Sequence, residues 1–288
     1  MVYQMAFSNR SVRAMSLLPS LNEEEAITVI KLFMKTYVKN AHSDSVVLGL
    51  SGGVDSAVAA VLCQQVFGKK KTHCLFLPDE ATPEKDRHDV AVLAKDFDLT
   101  VEEQDITDIV NDFLDQTQSS KDKLVKANVK ARLRMVMLYA YANKTKSLVC
   151  GTSNKSELLI GYFTKYGDGG VDFMPLGDLY KTQLWQIAKT LKLPKCMIEK
   201  PPTAGLWKGQ TDEKELNMTY DTLDQILAGL ERKMDVADIA RTINIDVEDV
   251  RRIHDMRVCS QHKRNMPLIP KIGMRTPGLD WRSPVQLG

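Results

Sequence analysis

The chain has 288 residues, 43% of them hydrophobic and 26% charged, with a formal net charge of +2. This is the composition of an ordinary globular protein with enough chain to bury a large core. The small charge does not indicate a nucleic-acid-binding surface, which needs basic residues concentrated on one face. No apolar run approaches the ~18 residues that span a bilayer and no signal-peptide pattern opens the chain, so we expect a cytoplasmic protein without membrane association.

Sequence patterning predicts where the structural elements lie. Asn22 followed by Glu25 predicts the start of an amphipathic helix that runs to about Asn40. Strand and helix patterns then alternate: strands are predicted at 46–50, 72–77, 99–103 and 147–150, and helices at 54–67, 83–97, 105–115 and 121–143. This alternation predicts an α/β fold with a Rossmann-like, doubly wound parallel sheet and flanking helices. In the usual strand order 3-2-1-4, the first and fourth strands are neighbours, and their carboxyl ends form the binding crevice.

The second half of the chain is richer in loops. Glycine-rich polar loops are predicted at 161–170 and 201–213, and helices at about 178–191, 219–230, 235–243 and 246–260. We expect one catalytic domain over residues 20–265, preceded by a leader (1–19) and followed by an irregular, proline-containing tail (266–288), neither with a readable function. Met5 and Met15 are alternative starts to the chain.

The five cysteines are odd in number and widely separated, without a Cys-x-x-Cys pair: Cys63, Cys74, Cys150, Cys196 and Cys259. Their spacing indicates neither a disulfide framework nor a zinc site. Cys63, Cys74 and Cys150 lie in apolar segments, which predicts buried core thiols.

A glycine-rich loop joins the first predicted strand to the helix that follows it. Its residues are Gly49, Leu50, Ser51, Gly52, Gly53, Val54, Asp55 and Ser56. The glycines let backbone N–H groups approach an anion closely, and the helix start directs its positive dipole end to the same place. Asp55 adds a carboxylate that can bind a metal ion. A Walker loop would end in a lysine that is absent here, so the P-loop NTPase interpretation fails.

Ser-Gly-Gly-x-Asp-Ser instead resembles the pyrophosphate loop of the ATP pyrophosphatases, which cleave ATP between the α and β phosphates. The structural alternative is a tight turn with helix-capping serines.

Residues 151–157 repeat the geometry of a strand, a loop and a helix start. There Thr152 can face a nucleotide and Glu157 a metal, although a well-capped helix N-terminus explains the same residues. Proximity to Asp55 would favour the metal, since Mg²⁺ prefers one or two carboxylates plus phosphate oxygens.

Several basic residues carry weaker signals. Arg132 and Arg134 are two residues apart on the predicted helix 121–143, so they point to different sides and at most one reaches a given ligand. A solvated basic face is the alternative. Lys181 by itself looks like a surface lysine, and the cluster at 262–264 commonly only complements a helix dipole.

Six segments together resemble the NAD synthetase family in order and spacing, over roughly residues 20 to 265. They are 51–56, 128–136, 151–157, 161–170, 175–183 and 211–213. The first segment is shared by GMP, asparagine and argininosuccinate synthetases and by tRNA-thiolating enzymes, so it identifies only the superfamily. Phe-Thr-Lys-Tyr-Gly-Asp-Gly-Gly, shortly after the loop at 151–157, is far more restrictive.

The resemblance implies an activity and a fold of the adenine nucleotide alpha hydrolase type. Members of this family convert deamido-NAD to NAD: ATP adenylates the nicotinate carboxylate with loss of pyrophosphate, and ammonia then displaces AMP. The implied ATP positions are residues 49–56, Thr152, Lys181 and Thr203, and the implied Mg²⁺ ligands are Asp55 and Glu157. The implied deamido-NAD positions are Arg134, Lys165, Asp172, His262 and Lys263. Asp168 is the candidate acceptor of a proton from ammonium, and Lys181 is a candidate catalytic residue.

Further expectations follow from the resemblance. Glutamine-using members carry an amidase domain with a nucleophilic cysteine, and 45 residues precede the first strand here, so we expect an ammonia-dependent enzyme. Family members are homodimers, and the apolar helix 121–143 is a plausible contact. Because an acyl-adenylate hydrolyses readily, polar loops at 82–89 and 203–214 are candidate lids that exclude water.

Two alternatives stay open. A tRNA-thiolating protein is another adenylating pyrophosphatase, but it should show catalytic cysteines or an RNA-binding module. A non-catalytic nucleotide sensor on the same sheet would bind ATP without releasing pyrophosphate.

Overall fold

The computed structural model describes residues 16–119, 121–207, 209–277 and 280. In this part of the chain, four parallel strands form one sheet in the order β3-β2-β1-β4. They are β1 (Val46–Leu50), β2 (Thr72–Phe76), β3 (Thr100–Glu103) and β4 (Leu148–Val149). The predicted parallel sheet and its order are confirmed.

The central strand β1 is an uninterrupted apolar run because it is covered on both faces. Val46, Val47 and Leu48 have no exposed surface. Val46 pairs with Thr72 of β2 on one side and with Leu148 of β4 on the other.

Helices cover both faces of the sheet and continue beyond it. The first group is α1 (Glu23–Asn40), α2 (Val54–Phe67), α3 (Glu84–Asp96), α4 (Thr107–Gln116), α5 (Lys123–Thr145) and α6 (Lys155–Ile160). The second group is α7 (Lys181–Thr190), α8 (Lys195–Ile198), α9 (Asp212–Leu216), α10 (Tyr220–Glu231), α11 (Val236–Ile243), α12 (Val247–Cys259) and α13 (Gln261–Arg264). Among the helices of the described ranges, none is long and apolar enough to cross a membrane.

Many element boundaries differ from the predictions by one to three residues, and three of these differences lie beside segments with predicted site residues. The predicted strand 147–150 is shorter, since Cys150 leaves the ladder and forms a single bridge with Phe173. The predicted helix 178–191 begins at Lys181 because Tyr180 acts as its N-cap and bonds to Gln183. The predicted loop 201–213 ends in α9, which begins at Asp212.

The core lies on both sides of the sheet and extends under α10, α11 and α12. Cys63, Cys74 and Cys150 are buried free thiols, as predicted. Leu17, from the segment for which no function could be read, is buried against α10 and α11 and bonds through its N–H to Gln225. Most of the leader and the end of the tail lie outside the described residues, and the limits of the 20–265 domain stay a prediction.

Candidate functional site

The loop between β1 and α2 has the geometry of an anion cradle. Gly52 has φ +74°, and a Cβ atom there would lie 3.1 Å from the backbone of Asp86, so only glycine fits. Ser56 Oγ donates to the Gly53 carbonyl at 3.0 Å and lies 3.1 Å from Ser51 Oγ. The serines therefore shape the loop from within, and the first N–H groups of α2 face the space in front of it.

A cavity of about 510 Å³ opens in front of this loop at the carboxyl ends of β1 and β4. Most of the sequence-predicted site residues line it: Gly49, Leu50, Ser51, Gly53, Val54, Asp55, Ser56, Arg134, Thr152, Glu157, Asp168, Lys181, Thr203 and Lys263. Gly52 is not among the lining residues, but its carbonyl accepts a hydrogen bond at 3.0 Å from Nζ of Lys200, which lines the cavity. The fold thus brings together segments that are more than 200 residues apart in the chain.

At the floor of the cavity, a buried lysine lies between carboxylates. Lys181 Nζ is 2.5 Å from Asp55 Oδ2 and 3.6 Å from Glu157 Oε1, and its side chain is 2% exposed. Asn154 Nδ2 donates to the other oxygen of Asp55 at 2.8 Å. Asn154 is also the N-cap of α6 and forms a capping box with Glu157, so one helix start orients both carboxylates.

The electrostatics of this cluster reflect an excess of buried negative charge. Burial and the neighbouring charge of Asp55 raise the pKa of Glu157 to about 8, against the opposing effect of Lys181. Burial by itself would lower the pKa of Lys181, but Asp55 and Glu157 outweigh it and raise that pKa. A second cation would relieve the remaining repulsion.

Arg134 reaches the cavity and Arg132 does not. Arg134 donates from Nε to the Leu77 carbonyl at 3.0 Å and from Nη2 to Asp79 Oδ2 at 3.1 Å. The buried Lys130 meets the same carboxylate oxygen at 3.0 Å. Asp79 therefore holds the Arg134 guanidinium at the cavity wall, whereas Arg132 donates to the Lys165 carbonyl on the exposed side of α5.

Asp168 lies in a tight glycine turn at the cavity wall. Its Oδ1 accepts the Thr164 N–H at 2.9 Å, and burial raises the pKa of the carboxyl group. Lys263 closes the same turn, since its Nζ donates to the carbonyls of Gly161 at 2.8 Å and Phe163 at 2.9 Å. A carboxylate with a raised pKa at a cavity wall suits proton transfer.

Three further predicted site residues lie outside the cavity lining in the described part of the chain: Lys165, His262 and Asp172. Lys165 Nζ donates to the His262 carbonyl at 2.7 Å on the outer surface. Asp172 accepts from the Tyr139 hydroxyl at 3.0 Å and from the Val149 N–H at 2.7 Å, so it ties α5 to β4. Their roles as substrate contacts stay predictions.

Sequence reasoning missed three residues of the site. Asn154 was visible only as a helix cap. Lys200 Nζ bonds the phosphate loop to Asp86 Oδ1 at 2.6 Å and Asp89 Oδ2 at 2.9 Å, which no local pattern signals. Asp212 is buried in the cavity wall, and its one sequence signal is its place in the Thr-Asp-Glu segment.

Comparisons with known proteins agree with this geometry. The family model described as NAD synthase matches residues 26–267. An NH(3)-dependent NAD(+) synthetase from Archaeoglobus fulgidus is 43% identical over 253 residues, which cover 88% of this chain and 98% of the relative.

Solved structures show the same similarity. An NMN synthetase from Francisella tularensis is 34% identical with a TM-score of 0.78, and an NH3-dependent NAD synthetase from Campylobacter jejuni is 31% identical with a TM-score of 0.74. Each match covers 88% of this chain and 100% of the other. The phosphate loop, the lysine between carboxylates and the sheet that positions them thus occur in a chain that belongs to the NAD synthase family.

Proposed function

We propose that this protein is an ammonia-dependent NAD synthetase, a ligase that forms a carbon–nitrogen bond in the final step of NAD biosynthesis. ATP adenylates the nicotinate carboxylate of deamido-NAD with release of pyrophosphate, and ammonia then displaces AMP. The observation that carries the proposal is the ion pairing of Lys181 with both Asp55 and Glu157 directly beside the phosphate loop.

In the first step, a carboxylate attacks the α phosphate of ATP and negative charge builds on the departing pyrophosphate. The Gly52 amide and the N-terminus of α2 suit a grip on that pyrophosphate. The Ser51 and Gly53 N–H groups, which the sequence also suggested, instead donate within the loop to Ser56 Oγ at 3.2 Å and to Ser51 Oγ at 3.3 Å. Lys181 is buried and its pKa is raised, so it carries a fixed positive charge next to the loop. Thr152 and Thr203 line the same cavity and are the proposed further ATP contacts.

The donor set fits Mg²⁺. Asp55 and Glu157 offer carboxylate oxygens at one point of the cavity, and their excess negative charge favours a divalent cation. Bound there, the ion would neutralise charge on the phosphates.

In the second step, ammonia must arrive as the free base although most of it is protonated at neutral pH. Asp168 is the proposed proton acceptor, because burial raises the pKa of its carboxyl group while its backbone bond to Thr164 fixes its position. Arg134 and Lys263 line the same wall and supply positive charge for an anionic dinucleotide.

A second candidate is amidation of nicotinate mononucleotide. It is favoured by the similarity to the Francisella tularensis NMN synthetase. The chemistry at the carboxylate is the same, and only the part of the substrate beyond the first phosphate differs.

The test is an assay with ATP, Mg²⁺ and ammonium chloride that follows AMP, pyrophosphate and the amidated product, with deamido-NAD and nicotinate mononucleotide as separate acceptors. Equal amounts of AMP, pyrophosphate and NAD from deamido-NAD are expected, with a loss of about a hundredfold or more in Asp55→Ala. Asp44→Ala, which removes an exposed carboxylate paired with Lys71, is the matched control.

Each other outcome selects an alternative. Turnover of the mononucleotide alone selects the second candidate, pyrophosphate without either product selects another adenylating pyrophosphatase, and ATP binding without pyrophosphate selects the sensor. A rate with glutamine equal to that with ammonium would contradict ammonia dependence.

A homodimer with α5 at its contact is also proposed, supported by the exposed apolar side chains of Leu124, Val125 and Val136 on that helix. The cytoplasmic location stays a prediction from the sequence.

A further inference from the structure

Asp212 is a buried carboxylate in the catalytic cavity that the proposed chemistry does not use. It is 3% exposed and lines the cavity with Asp55, Glu157 and Lys181. Its Oδ2 accepts the Tyr220 hydroxyl at 3.1 Å, whereas its Oδ1 has no hydrogen-bond partner among the described residues. The Tyr162 hydroxyl also interacts with Asp212, but it has one hydrogen to donate and its short contact, 2.5 Å, is with Glu215.

A buried, unpartnered carboxylate oxygen costs free energy, so its retention points to a cation that reaches it in another state of the site. Lys181 is a side chain able to do so. Its Nζ lies over the Tyr220 ring, 5.3 Å from the centroid, and the hydroxyl of that ring bonds to Asp212. The charges of Lys181 and Asp212 already act on each other, although the two side chains form no ion pair.

The present partners of Lys181 are the two proposed metal ligands. An ammonium 2.5 Å from Asp55 Oδ2 occupies a lone pair that a divalent cation could use, and two cations in contact with the same carboxylate repel each other. Binding of the metal to Asp55 and Glu157 therefore favours a change of partner for Lys181.

We propose that Asp212 is the second counter-ion of Lys181: when a divalent cation takes Asp55 and Glu157, the ammonium moves along the Tyr220 ring from Asp55 to Asp212 Oδ1. This inference rests on the metal assignment within the proposed function. Asp212 is thus a positioning residue that acts through Lys181.

The exchange would also involve the loop that precedes α9. The Asp212 N–H donates to the Pro202 carbonyl at 3.0 Å, which closes the base of residues 203–211, and Thr203 in this loop lines the cavity. Lys181 and the base of this loop would therefore meet at one residue, Asp212.

The test is a double-mutant cycle on Mn²⁺ binding, measured by electron paramagnetic resonance without ATP on the wild type, Lys181→Met, Asp212→Asn and the double variant. Lys181→Met should bind Mn²⁺ about tenfold more tightly, because the competing ammonium is gone. Asp212→Asn should weaken binding about fivefold when Lys181 is present and much less in the Lys181→Met background.

Glu215→Gln is the matched control. It removes the same charge from the same helix and cavity, but Glu215 has its own partners in Tyr162 and Gln210. Its effect on Mn²⁺ affinity should be small and equal in both backgrounds. Circular dichroism and thermal melting establish that each variant folds. If Lys181→Met does not fold, the comparison is made between the other two variants. Asp212→Asn is then expected to weaken Mn²⁺ binding at least about threefold more than Glu215→Gln does, and a smaller difference would overturn the inference.

Two results would overturn the inference. One is Mn²⁺ affinity in Lys181→Met no higher than in the wild type. The other is an equal effect of Asp212→Asn in both backgrounds, which would make Asp212 a direct ligand or a general source of charge. If Mn²⁺ binding depends on Lys181 and Asp212 together but the protein forms no NAD, the proposed reaction is rejected and the exchange of partners by Lys181 stands. If the protein forms NAD but the two residues act independently on Mn²⁺ binding, only the exchange is rejected.

Discussion

At the scale of single residues, the site is built from charged groups that would be unfavourable alone in a protein interior. Lys181, Lys200 and Lys130 are each largely buried, and each is paired with at least one carboxylate. Removing one member of such a group leaves the others buried without a partner, which costs more than the pair itself contributes. The lysines are therefore the positions where a substitution is most informative.

Lys200→Met tests the support of the phosphate loop. In this variant Asp86 and Asp89 would lose their shared cation, and the Gly52 carbonyl would lose its hydrogen-bond donor. We therefore expect a loss of about 3 kcal/mol in the free energy of unfolding and a raised KM for ATP. Urea denaturation and initial rates measure the two effects. Lys69→Met, which breaks an exposed pair with Asp98, should cost less than about 1 kcal/mol. An unchanged KM in a destabilised Lys200→Met would limit Lys200 to a structural role.

Asp79→Asn tests the group that holds Arg134. Burial by itself would raise the pKa of Asp79, but Arg134 and Lys130 outweigh it and lower that pKa. The stabilisation is therefore fully present above the unfolded pKa of about 4 and is lost as the pH falls through the lower folded value.

We expect Asp79→Asn to be about 3 kcal/mol less stable than the wild type at pH 7, with the difference shrinking below about pH 4. Urea denaturation across this pH range is the measurement, with Asp44→Asn as an exposed-pair control. A stability difference between the variant and the wild type that does not change with pH would contradict the role of Asp79 as the charged partner of Arg134 and Lys130.

At the scale of elements, helix starts converge on the cavity. The N-termini of α2, α6 and α7 bring Asp55, Glu157 and Lys181 to one point, each within the first turn of its helix. The strands set the positions of α2 and α6, because β1 and β4 are parallel and end at the same edge of the sheet. Helix α7 reaches the same point from the loop that follows α6. The two predicted lids differ from each other. Most of 82–89 is the first part of α3, held by Lys200, whereas 203–207 and 209–211 form no helix or strand.

Limited proteolysis with mass spectrometry tests the lids. We expect ATP plus deamido-NAD to slow cleavage within 203–211 several-fold and to change cleavage at 84–89 much less, because the helical segment is already held. The indole ring of Trp207, which Lys123 of α5 approaches at 3.9 Å from the ring centroid, provides a fluorescence readout of the same closure. Cleavage at equal rates with and without ligands would contradict a lid.

At the scale of the whole molecule, α4 and α5 present an apolar outer surface. Ile109, Phe113 and Val136 are about half exposed on it. An exposed apolar surface of this kind marks a candidate contact with another chain. A homodimer through α5 would cover it.

Val136→Asp tests the dimer. A charge at the centre of an apolar contact is unpaired when buried, so we expect the variant to sediment as a monomer at concentrations where the wild type is a dimer. Analytical ultracentrifugation is the measurement. Leu32→Asp places the same charge at an exposed apolar position on α1 and should leave the mass unchanged. A monomeric wild type would reject the dimer outright.

Many features of this structure are determined by residues that lie close together in the sequence. The strands, the glycine-rich loop at 49–56 and most of the helices follow from apolar periodicity, glycines and helix caps, because neighbouring residues decide these features. The strand order follows instead from the usual order of such sheets. Asp55, Glu157 and Lys181 were named from motifs, and the fold brings them within one cluster. The sequence does not reveal the partners of Lys200 and Asp212. Each contact joins segments that are far apart in the chain, and no repeating pattern of residues indicates which distant segments meet.

The sequence by itself determined the fold class, the anion-binding loop and the resemblance on which the function rests, because these depend on residue types at short, fixed spacing. Only the tertiary structure decided that Lys181 occupies the position between Asp55 and Glu157, that Arg134 rather than Arg132 faces the cavity, and that Asp212 keeps an unpartnered oxygen beside them. The reason is physical: burial and the balance of charge exist only once distant segments meet, and they decide which of many plausible polar residues forms the site.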